Sequence, residues 1–176
     1  MNRLLLLFLS LVLLSCRDVG VPGETPVAEP ISTDGALFAL VTQAQPFSTY
    51  PLFPGVDSVA SGTLNGSSAH RPLVRVRMNA VARTILKEGK FPDGGTFPDG
   101  SILFKEIISG DTTVLYAIIY RDRSNPLAAS GWLWAEYRPN GDAFFSITER
   151  GGGCVGCHMR EQGPRHDLVR TFERQR

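Results

Sequence analysis

The sequence predicts an α+β fold, mainly antiparallel β-sheet with a few short helices, and three observations carry that prediction. Residues 73–78 alternate, with Val74, Val76 and Met78 on one face and Arg75 and Arg77 on the other, the period of a half-buried strand. Two pairs of β-rich runs are each joined by turn residues: SILFKEIIS to TTVLYAIIY across Gly110-Asp111, and GWLWAEYR to DAFFSIT across Pro139-Asn140-Gly141, which is the signature of hairpins. The helical patterns between them are short, so no parallel crossover architecture is expected.

At the N-terminus, Arg3 precedes an apolar run over residues 4–14, shorter than the about 20 residues that span a bilayer and typical of a secretory signal. The ending Leu13-Leu14-Ser15-Cys16 resembles a bacterial lipobox, so residues 1–15 are expected to be removed and Cys16 to carry lipid. Acylation would hold the protein on a membrane surface, on the periplasmic side, without making it integral. It would also account for the odd cysteine among three in an exported chain. Arg17 after the cysteine favours an outer membrane by the enterobacterial sorting pattern. Residues 16–33 are rich in Pro, Gly and small or charged residues and read as a tether. The domain proper is expected over residues 34–176.

Within it, residues 35–44 read as a helix and residues 46–72 as mostly irregular chain. Asn79 is an N-cap after the first strand, and Val81/Ile85 with Ala82/Leu86 give the i, i+4 pairs of a helix ending near Gly89. The twice-repeated FPDG of residues 91–101 is turn chemistry. For the C-terminal residues 164–176, periodicity does not separate a helix from an extended tail. With 43% hydrophobic and 20% charged residues and a net charge of +1, the chain lacks the basic excess of nucleic-acid binders.

The chemistry is concentrated in GGGCVGCHMR, residues 151–160. Cys154, Cys157 and His158 form C-x-x-C-H, the attachment signal for c-type haem, in which two thiols bond the porphyrin vinyls and the imidazole ligates iron. The spacing lets both sulfurs reach neighbouring pyrroles while the next residue lies under the metal. A structural zinc site would need four ligands, and only His70 and His166 remain as distant extras. A redox disulfide would be expected at a βαβ unit, which the pattern does not offer. Export agrees with haem, which is attached outside the cytoplasmic membrane. The glycines at 151–153 would let backbone approach the macrocycle or simply form a loop.

Small electron-transfer cytochromes carry this motif near the N-terminus and return a methionine from a long helical stretch. Here the one methionine after His158 is the adjacent Met159, which cannot fold back onto the far face of the haem, and helical bundles of the cytochrome c′ type do not fit a β-rich chain. The segments SSAHRPLVRVRMNAVA, FPDGSILFKEI, GWLWAEYRPNGD, CVGCH and HDLVRTF, in that order across the domain, resemble those of the cytochrome P-460 and cytochrome c′-beta family. The resemblance implies one covalent haem c at one side of an antiparallel sheet, His158 as its iron ligand, an open distal iron position and a homodimer. In its P-460 branch a lysine is cross-linked to the haem and hydroxylamine is oxidised, with electrons passing to a partner cytochrome. In its c′-beta branch an uncross-linked pocket, capped by phenylalanine, binds nitric oxide or carbon monoxide.

The deciding residue is therefore one of three lysines, Lys87, Lys90 and Lys105. Lys105 alternates with Phe104 on one strand, so if one faces the haem the other faces away. Phe104 is the aromatic expected to line the haem, the other strand aromatics being core. Oxidising hydroxylamine also needs groups that move protons, for which Glu106, Glu136, Glu149 and His70 are candidates, Glu136 and Glu149 foremost beside Lys105. Glu136 shares a strand face with Trp132 and Trp134, where burial would raise its pKa. Met78 and His166 are alternative sixth ligands, either of which would close the iron to substrate.

Overall fold

In the computed structural model, residues 29–55, 58–62, 69–160 and 167–170 are described. The expected signal, Cys16 and His166 lie outside them. Among the described residues six strands form one antiparallel meander, neighbours in space being neighbours in sequence. They are β1 (Ala60–Ser61), β2 (Leu73–Met78), β3 (Ile102–Ser109), β4 (Thr112–Arg121), β5 (Trp132–Tyr137) and β6 (Ala143–Phe145). Both hairpins fall where the turn residues put them. The two-residue β1 paired to β2 is too short for sequence periodicity to register.

Alternation divides the sheet into two cores. On one face, Leu37 and Val41 of the first helix pack with Ile102, Phe104, Ile118, Leu133 and Tyr137. That helix is α1 (Asp34–Ala39), N-capped by Thr33 and continued by a π-helical turn to Ala44. Within the stretch expected to be tether, Ile31 packs against this core, and its carbonyl accepts from Asn125 Nδ2 at 2.9 Å. On the other face Val74, Val76, Met78, Leu103, Trp132 and Trp134 form the second core.

Asn79 caps α2 (Ala80–Arg83), its Oδ1 accepting from Ala82 N at 2.9 Å and also from Ile102 N at 3.0 Å. The helix stops four residues in, not near Gly89. Thr84 and Leu86 make tighter i, i−3 backbone bonds, and Lys87 and Lys90 pair across Glu88 and Gly89, both at positive φ, the geometry of a hairpin turn. The β6 edge leads into a 3₁₀ turn at Ile147–Glu149 and then to α3 (Cys154–His158).

Candidate functional site

Helix α3 spans five residues, so Cys154, Cys157 and His158, at i, i+3 and i+4, share one face. That face lines a cavity of about 1240 Å³, its open mouth included. The three preceding glycines serve different ends. A Cβ on Gly151 would sit 2.7 Å from the Trp134 ring and from Val155 Cγ2, so glycine there permits the packing of α3 on β5. Gly152 and Gly153 lie on the cavity wall, and a Cβ on Gly153, at φ +76°, would meet no atom within 4 Å.

His158 Nδ1 lies 2.7 Å from the carbonyl oxygen of Leu168. A carbonyl only accepts, so Nδ1 carries the proton and Nε2 the lone pair. The Trp134 ring meets the imidazole edge-on with centroids 4.9 Å apart. Burial, reinforced by the charge of Lys105, pushes His158 down to about 3, which keeps the ring neutral as a metal ligand must be. Burial pushes the Cys154 thiol up to about 11. Cys154 and Cys157 are not joined in a disulfide, and Arg170 Nη1 lies 3.6 Å from Cys157 Sγ.

A polar edge of the cavity is a hydrogen-bonded chain. Lys105 Nζ is 3.0 Å from His70 Nδ1, and His70 Nε2 is 3.3 Å from Glu136 Oε1. A carboxylate accepts, so Nε2 donates to Glu136, Nδ1 is left as the acceptor, and the Lys105 amine donates to it. Burial lowers Lys105 to about 8, against the pull of Glu136. Burial also lowers His70, helped by the Lys105 charge and opposed by Glu136. Lysine, imidazole and carboxylate come from β3, the turn before β2 and β5. They line the same space as Cys154, Cys157 and His158.

The other candidates fall elsewhere. Phe104 is a correction: it is fully buried on the far side of the sheet, its ring stacked 3.9 Å from Phe47, because Lys105 takes the cavity side of β3. Glu149 is also corrected, since its Oε1 accepts from Ser146 N at 3.2 Å in a capping box and it is absent from the cavity wall. Glu106 faces the Phe104 side, paired with Arg75 and Arg77. Met78 is fully buried in the core off the cavity wall, and Lys87 and Lys90 are exposed in their turn.

Phe53, Phe145, Val169 and Arg170 line the cavity. Phe145 alternates with exposed Phe144 on β6, a signal present in the sequence. Phe53 comes from irregular chain and Arg170 from the C-terminal segment, where no period exists to assign a face. Among the described residues no group of three or more His, Cys, Asp or Glu is gathered as a metal ion would need. No protein-family model matches the sequence, and no curated protein matches it.

Proposed function

We propose that the protein is an exported, lipid-anchored mono-haem c-type cytochrome of the P-460 type, acting in redox chemistry on hydroxylamine or a related nitrogen species. The observation that carries this reading is that one cavity gathers two thiols, an imidazole with its Nε2 lone pair available and a Lys-His-Glu hydrogen-bonded chain.

The residues fit a haem c. Cys154 and Cys157 would bind it covalently and His158 would ligate iron, its Nδ1–H already held by a carbonyl, the usual outer partner of a ligating histidine. Most of the cavity's walls are apolar, as a macrocycle's faces require. When bound, the haem would supply a redox-active iron, held through His158. The position of Met78 off the cavity wall supports an iron without a methionine ligand.

Hydroxylamine loses protons as it loses electrons, so its oxidation requires a proton acceptor near the reacting nitrogen. Lys105, His70 and Glu136 form a path for protons along the cavity wall, and a partner cytochrome would take the electrons. Of the three lysines, only Lys105 lines the cavity, which supports the branch whose lysine is cross-linked. The apolar wall with Phe53 and Phe145 favours a second reading, a nitric-oxide binder of the c′-beta kind. Lipid on Cys16, a periplasmic location and a homodimer belong to the proposal through the lipobox and the resemblance.

Two measurements on protein purified from membranes test it. A haem stain should survive denaturation, and its loss would sink the reading. The reduced protein should show a strongly red-shifted Soret band, displaced to an ordinary high-spin position in Lys105→Ala. An ordinary high-spin band in the wild type would select the gas binder, and a sharp low-spin α band an electron carrier with a second protein ligand.

A further inference from the structure

Asp167 and Leu168 are consecutive non-glycine residues in the left-handed region, at φ +54° and +68°, a conformation costing about 1–2 kcal/mol for each residue. Such strain persists only where surrounding contacts impose it, and here three do. Phe97 N donates to Asp167 Oδ2 at 3.0 Å, Arg121 Nη2 pairs with Oδ1 at 3.2 Å, and Trp132 Nε1 donates to the Asp167 carbonyl at 3.0 Å. Arg121 is itself held, with its guanidinium 5.1 Å from the Trp132 ring centroid and its Nη1 donating to Ser130 O at 2.8 Å. Gly131 makes room for it, since a Cβ there would come within 2.6 Å of Nη1.

The carbonyl that follows is the one that accepts from His158 Nδ1. In extended chain successive carbonyls point to opposite sides. The left-handed pair lets adjacent carbonyls serve two donors, Trp132 and His158. The next two residues, Val169 and Arg170, then reach the cavity wall.

We infer that Asp167, clamped by Arg121, Phe97 and Trp132, is a positioning residue for His158, fixing the Leu168 carbonyl that sets the imidazole's tautomer and orientation. Its effect on iron rests on the haem reading above, whereas its effect on the ring does not. A carbonyl held against Nδ1–H makes the imidazole a stronger donor, which favours the oxidised metal. Releasing it raises the reduction potential.

The test measures exchange of the His158 Nδ1 proton with water, by NMR of protein as purified and labelled in its histidines, together with the reduction potential and the thermal midpoint. Asp167→Ala is expected to speed exchange about tenfold, the equivalent of one lost hydrogen bond, and to raise the potential. Asp167→Asn, which keeps an acceptor for Phe97 N–H but loses the ion pair, should fall between and serves if the alanine variant does not fold. Arg138→Gln removes a charge that lies over the exposed Phe144 ring, with no contact to the clamp, and should leave the exchange unchanged. Exchange in both Asp167 variants equal to wild type would overturn the proposal. Absence of covalent haem would instead overturn the haem reading, while the exchange rates still decide the clamp.

Discussion

Adjacent residues of β3 show how differently the two faces of this sheet are used. Phe104 looks into a closed core where rings stack on rings and α1 seals the layer. One residue on, Lys105 looks into a space that apolar walls leave open and that holds an amine, two imidazoles, a carboxylate and two thiols. The first face gains its stability from burial, about 25 cal/mol per Å² of apolar surface. The second forgoes part of that burial and holds its polar groups by hydrogen bonds between elements far apart in sequence. The sealed face thus supplies the rigidity against which the open face keeps its geometry, as a preorganised site requires.

The contrast can be broken from either side. The largest effect is expected for His158→Ala or Cys157→Ala. On the haem reading, loss of the ligand or of one covalent link should change the native optical spectrum, while circular dichroism of the sheet is retained. On the sealed face, Phe104→Ala should cost about 3–5 kcal/mol of unfolding free energy and leave the spectrum in place. Denaturant titration and absorbance separate the two, and a shifted spectrum at native conditions would deny the independence of the faces. Glu136→Gln keeps the size of the chain's end but removes its proton acceptor, so the proposed hydroxylamine turnover should fall about 10²-fold with folding little changed. Undiminished turnover would remove Glu136 from the proton path.

A subtler test uses pH. The Lys105 amine is lowered from 10.5 to about 8. Between those values the unfolded chain binds more protons than the folded one, so stability rises with pH across that window, and the full penalty applies below it. In protein produced without haem, where the amine is free, Lys105→Met should raise the thermal midpoint at pH 7 and flatten its rise from pH 8 upward. An unchanged slope would show that the amine is not desolvated. The smallest effect belongs to Phe144→Ser: the ring is exposed next to cavity-lining Phe145, and stability should stay within about 0.5 kcal/mol, checked by thermal melting.

Much of this was legible locally. The alternation of Val74, Val76 and Met78 matches their burial, both hairpin turns fall as read, and Asn79 caps α2. C-x-x-C-H needs no tertiary information to place its three side chains on one helical face. The extent of α2 was misread because the apolar period through Leu86 competes with a tight turn at Glu88 and Gly89, and Val81, counted to its apolar face, is exposed. Phe104 and Lys105 are not told apart by the sequence because each face of β3 mixes apolar residues with one charge, Lys105 on one and Glu106 on the other. Alternation then says that two residues oppose one another, but not which side either takes.

By itself, then, the sequence determined the strand-by-strand meander, the capped turns and the clustering of thiols and imidazole, because these depend on periods of two and 3.6 residues and on turn chemistry within a few positions. Only the tertiary structure decided which face of the sheet carries the cavity, that His70 joins Lys105 to Glu136, and that Asp167 holds the carbonyl against His158. Those contacts join residues 35 to 70 positions apart, and no local pattern records a pairing that exists only once the sheet has closed over its two cores.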